Sequence, residues 1–159
     1  MEPHSRWFIA ATFLAGLLLA VAPLAHNWQW FRPAFISLLV IFWVTRMPTV
    51  FGVGFAWLAG LIQDLVTGAA IGSHALSLAA IAYLCLLFYR RMRAYSAGQQ
   101  VLLVFVLVGI QQLVSVWVHE FAGKPAQGLV FLWPAATSAL LWPVVSGLLH
   151  RYFTQLQVR

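Results

Sequence analysis

The 159-residue chain is 63% hydrophobic and only 8% charged, whereas an ordinary soluble domain is about 25% charged. That excludes a soluble globular protein and leaves an integral membrane protein, one compact domain over residues 1–159. The formal net charge of +6 does not point to nucleic acid, because the Lys and Arg residues cap the ends of apolar runs and do not gather on one face; the single cysteine, Cys85, excludes an internal disulfide.

A helix needs about 20 apolar residues to cross the hydrocarbon core of a bilayer. Trp7–Ala25 is the first such run, bounded by Arg6 and by His26-Asn27. Its basic start and apolar middle suit a signal peptide, but no clean small-x-small cleavage site follows and five more runs do, so it reads as a retained helix. Ala34–Thr45 is short; it opens after Arg32-Pro33 and ends at Arg46. Pro33 fits a first helical turn, where its missing N–H is not needed. The run Met47–Tyr89 holds one formally charged side chain, Asp64, and is too long for one span. It divides into Pro48–Val66 and Ser73–Tyr89, joined by Thr67-Gly68-Ala69-Ala70-Ile71-Gly72. Gln99–Phe121 makes a fifth span and Leu129–Tyr152 a sixth, with Pro134 and Pro143 expected to kink or break the last. The fold class is therefore an all-α polytopic membrane protein with six transmembrane helices.

Six spans place both termini on one side. With that side cytoplasmic, the inner segments hold Arg6, Arg46, Arg90, Arg91, Arg93, Arg151 and Arg159, and the outer ones only Arg32 and Lys124. This follows the positive-inside rule. The cluster Arg90, Arg91 and Arg93 carries most of the bias and is a topology anchor, with anionic lipid or a cytoplasmic partner as the other reading.

Asp64 is costly: a carboxylate at a bilayer centre costs roughly 2.5–3.5 kcal/mol on insertion scales. It lies roughly 24 Å along the third helix at ~1.5 Å per residue, near the outer edge. Arg32 opens the second helix at that level, and His119, Glu120 and Lys124 close the fifth. Arg32, Asp64 and Glu120 thus form an outer polar layer. Arg32 is expected to pair with Asp64, and Glu120 with Lys124 or His119, as positioning devices more than sources of stability. The competing reading of Asp64 as a proton or cation site needs a chain of ionisable groups, and the middle of every span lacks one. Gln111, Gln112 and Ser115 suit hydrogen bonds across helices. Gly60, Asp64 and Gly68 are spaced to share one helical face, and Gly60 suits close helix packing. Gly68 and Gly72 are expected as turn residues with positive φ. Trp7, Trp28, Trp30, Trp43, Trp117 and Trp133 suit an interfacial belt; Trp57 and Trp142 sit deeper, where they pack in the bundle or face a partner helix. The five histidines are dispersed, with no metal-ligand spacing, no nucleophile elbow, no phosphate loop and no paired catalytic carboxylates. No enzyme, cofactor or metal is expected.

The chain resembles the MreD family of rod shape-determining membrane proteins. The likeness rests on Phe31-Arg32-Pro33 opening the second helix, on Gly54-Phe55, Gly60-Leu61, Asp64-Leu65, Gly68, Gly72 and Ala75-Leu76, and on Glu120-Phe121 and Leu141-Trp142-Pro143. It covers nearly the whole chain. The resemblance implies a place in the bacterial inner membrane, in the rod complex that drives cell elongation and lateral peptidoglycan synthesis. It implies a direct partner, MreC, and through it MreB, the glycosyltransferase RodA and the elongation-specific penicillin-binding transpeptidase. It also implies a bundle similar to the substrate-binding components of energy-coupling-factor transporters, which does not by itself import a ligand site. The expected function is a non-enzymatic scaffold that binds MreC, with Gly60, Asp64 and Gly72 at a contact or in the frame behind one. A small-molecule or lipid-linked precursor binder or transporter with an outward-facing cavity is the alternative.

Overall fold

A computed structural model describes residues 3–22, 32–121, 123 and 132–157. Six helices follow in chain order: α1 (Pro3–Val21), α2 (Phe35–Arg46), α3 (Val53–Thr67), α4 (Ser73–Ala94), α5 (Ala97–Phe121) and α6 (Trp133–Gln157). Among the described residues there is no strand.

Helix α2 is the axis of the bundle. Its sequence is apolar all round, the pattern of a helix enclosed by others, and every residue from Ile36 to Thr45 is buried. It packs against α1, α4, α5 and α6. Its 12 residues rise only about 18 Å, well short of a hydrocarbon core of about 30 Å. Helix α3 and the Trp7–Val21 part of α1 are likewise apolar but short, whereas Ser73–Ala94 and Ala97–Val118 are long and apolar enough to cross a membrane.

The outside of the bundle is greasy. Trp7, Leu14, Leu102, Trp117 and Leu140 are each at least 60% exposed. Water does not tolerate that much continuous apolar surface on a monomer, whereas lipid does.

Three expectations change. Helix α3 begins at Val53, not Pro48. Pro48 instead occupies the second position of a turn in which the Val50 and Phe51 N–H groups reach the Met47 carbonyl at 3.1 and 2.9 Å, the place where its fixed φ is favoured. Helix α6 is not broken: Pro134 lies in its first turn, and the helix continues through Pro143. Trp43 is no belt residue. It is fully buried at the centre of an aromatic cluster, with ring centroids 5.3 Å from Phe42, 5.8 Å from Phe153, 5.9 Å from Phe51 and 6.1 Å from Phe8. The short α2 draws its last turn into the bundle, so a tryptophan near the end of a span is still in the core. Trp57 is substantially exposed, while Trp142 is buried and donates its indole N–H to Gln100 Oε1 at 3.2 Å. Trp28 and Trp30 lie outside the described residues.

Truncating Trp43 removes the hub of four ring contacts. Trp43→Ala is expected to cost about 3–5 kcal/mol, read as a fall in the unfolding midpoint of detergent-purified protein, whereas Trp57→Ala changes it little. Equal effects at the two positions would refute the central place of Trp43.

Candidate functional site

Helices α3 and α4 meet more closely than any other pair, and glycine is the reason. A Cβ on Gly60 would stand 2.5 Å from the Ala75 Cα and 2.5 Å from the His74 carbonyl oxygen, so only a residue without one lets the two backbones touch. One turn further along α3, on the same face, lies Asp64.

Asp64 is 1% exposed and is consumed by the start of α4. Its Oδ2 accepts the Gly72 N–H at 2.8 Å and the Ala75 N–H at 3.3 Å. Its Oδ1 accepts the His74 N–H at 3.0 Å and the Ser73 hydroxyl at 3.0 Å, and His74 Nδ1 lies 2.8 Å away. The first N–H groups of any helix lack partners within it and carry the positive end of its dipole. Here a carboxylate from the preceding helix satisfies them. The link between the helices is shaped to allow it. Gly68, at φ 66°, ends α3 and returns its N–H to the Asp64 carbonyl; Gly72, at φ 100°, leads into α4. Both values lie in the left-handed region that glycine adopts without strain.

The expected partner of Asp64 was Arg32, and the structure corrects this. Arg32 turns to α1 and donates to the carbonyls of Ala20 and Ala22, so it caps the end of one helix while Asp64 caps the beginning of another. His74 takes the place assigned to Arg32, with its Nδ1 2.8 Å from Asp64 Oδ1. It was readable in retrospect: Gly72-Ser73-His74 opens a helix one tight turn after an acid. Glu120 is exposed; its expected pairing with Lys124 or with the His119 side chain lies outside the described residues. Pro33 precedes α2, next to an Ala34 N–H that donates to Ser138 Oγ of α6 at 2.8 Å.

Other polar groups inside the bundle also join helices. The Ser37 hydroxyl donates to Gln111 Oε1, linking α2 to α5. The basic cluster divides. Arg93 donates to the Thr45 carbonyl at 2.9 Å and the Arg46 carbonyl at 2.6 Å, closing the end of α2, whereas Arg90 lies beside the Tyr89 ring and Arg91 is exposed. Among the described residues no three His, Cys, Asp or Glu side chains gather as a metal site. The Asp64 oxygens face donors of α4 and are shielded from solvent, which suits holding two helices and not moving protons.

Removing the carboxylate strands several buried N–H groups. Each costs about 1–3 kcal/mol when unsatisfied, so Asp64→Ala is expected to lose at least about 2 kcal/mol of stability and Asp64→Asn, which keeps an acceptor, less. Gly60→Val should be as damaging as Asp64→Ala, by forcing α3 and α4 apart. Unfolding curves in detergent measure all three, and an Asp64→Ala protein as stable as the parent would contradict the capping role.

A family model for the rod shape-determining protein MreD matches residues 1–152. The Rod shape-determining protein MreD of Haemophilus influenzae is 33% identical over 151 residues, covering 92% of this chain and 91% of its own length. No solved structure matches the chain. A family model spanning almost every residue, and a relative a third identical along nearly its full length, establish that this chain belongs to the MreD family of rod shape-determining proteins.

Proposed function

We propose that this protein is a non-enzymatic scaffold of the rod complex, spanning the bacterial inner membrane six times with both termini in the cytoplasm. In this reading it binds MreC directly and, through it, helps to organise MreB, RodA and the elongation-specific transpeptidase during lateral peptidoglycan synthesis. Family membership supports a role in rod shape determination. The greasy exterior and the arginines clustered in the last turns of α4 support the membrane placement.

The observation that carries the scaffold reading is a groove between α1 and α3. It has a volume of about 610 Å³ and apolar side chains throughout, among them Ile9, Phe13 and Leu17 of α1 and Phe55, Leu58 and Ile62 of α3. In lipid, helices associate by shape and close packing and not by hydrophobic force. A concave apolar face suits a partner's single transmembrane helix. Asp64 looks away from this groove into the contact with α4, so it serves as the frame that fixes α3, and the groove is the contact. The alternative, a small-molecule or lipid-linked precursor binder with an outward-facing cavity at Arg32, Asp64 and Glu120, finds no support in this geometry. Asp64 is sealed off, Arg32 is engaged with α1, and Glu120 is on the surface.

Co-purification with tagged MreC tests the groove. Leu58→Trp and Ile62→Trp overfill it and are expected to lower MreC recovery about tenfold, while Leu140→Trp, on the exposed face of α6, leaves recovery intact. Full recovery with folded groove variants would defeat the groove. A folded Asp64→Asn protein that keeps the Gly72, His74 and Ala75 amides protected from hydrogen exchange and still loses MreC would move Asp64 from frame to contact.

A further inference from the structure

A second cavity lies at the opposite end of α4 from Asp64, about 30 Å away at ~1.5 Å per residue. It is a half-open cleft between the last turn of α2, the last turns of α4, the start of α5 and the middle of α6, and has a volume of about 410 Å³. Its polar wall carries two arginines. Arg46, Arg93 and His150 line it, beside Gln100 and Trp142.

The two guanidiniums are held and not merely nearby. Arg93 is fixed by its bonds to the carbonyls of Thr45 and Arg46, and Arg46 lies against the Phe42 ring at 5.6 Å. Gln100 is locked between Trp142 and the Tyr95 carbonyl. The start of α5 adds the positive end of a helix dipole, with no acid in its first turn. Among the described residues no carboxylate lies within ion-pair distance of either arginine. Two like charges thus stand at one cleft, exposed at its mouth, beside apolar lining such as Phe42 and Val104 and an outer surface suited to lipid. Such a site is complementary to an anion that also carries acyl chains.

We propose that this cavity binds the phosphate headgroup of an anionic phospholipid, with Arg46 as the principal contact, Arg93 as the second charge and Trp142 as the floor. The proposal rests on the membrane placement argued above and is independent of MreC. Basic pockets between transmembrane helices on the cytoplasmic side have this preference.

The test uses the full chain in nanodiscs of phosphatidylcholine containing phosphatidylglycerol, with retained lipid counted by native mass spectrometry. The parent protein should retain phosphatidylglycerol in preference to phosphatidylcholine. Arg46→Gln should weaken that preference about fivefold, the effect of removing one basic contact, while Arg151→Gln on the exposed end of α6 should not. Gly147 lines the cavity and a Cβ there meets nothing within 4 Å. Gly147→Phe should therefore fill the space and give the same loss with every charge kept, which guards against a misfolded Arg46 variant. Inorganic phosphate in phosphatidylcholine nanodiscs separates the two sources of the anion, and it should neither stabilise the protein nor compete. Equal losses in Arg46→Gln and Arg151→Gln would reduce the site to diffuse surface charge and overturn it. So would retained preference in Gly147→Phe, or full stabilisation by phosphate alone. MreC recovery is a separate readout, so failure here leaves the scaffold reading standing.

Discussion

A helix that ends inside a layer without water leaves N–H and carbonyl groups that nothing solvates, and the bundle is arranged around that constraint. Helices α2 and α3 are too short to reach both surfaces of a bilayer. Their ends, and those of the helices beside them, are closed by side chains sent from elsewhere. Asp64 of α3 closes the start of α4, Arg32 closes the end of α1, Arg93 of α4 closes the end of α2, and Ser138 of α6 holds the approach to α2. Each bond both satisfies a helix end and fixes one helix against another. The few charged residues this chain carries inside the bundle are therefore spent on joints.

This division explains where the protein is free to act. The polar interior is committed to holding the frame, which leaves apolar faces and the cleft at the far end of α4 as the surfaces proposed for partners. The α1–α3 groove is presented by a helix whose position is set from behind by Gly60 and Asp64. A residue can then matter for partner binding without touching the partner, by keeping the groove wall where the partner needs it. Loss of shape in cells carrying a substitution at Asp64 would thus report on the frame first.

Much of this was legible in the sequence. The six helices follow from apolar runs punctuated by Arg, Pro and Gly, and the special status of Asp64 follows from its isolation in the longest run. The family is legible from the order of its glycines and acids. What was not legible is which groups meet. Opposite charges in one layer suggested Arg32 for Asp64, but a five-residue link returns the chain so tightly that the nearest donors to the carboxylate are the backbone and side chains of residues 72–75. Periodicity cannot show that Arg93 reaches a helix end 47 residues earlier, nor that the last turn of the short α2 seats Trp43 in the core. Both depend on packing between segments distant in sequence.

The account depends most on the carboxylate cap of α4, and residue-resolved hydrogen exchange measures that cap directly. In the parent protein in detergent or nanodiscs, the amides of Gly72, His74 and Ala75 should exchange slowly although they open a helix. In Asp64→Ala those same amides should become fast while the centre of α4 stays protected. Unchanged protection at the three amides would contradict the claim that Asp64 joins the two helices.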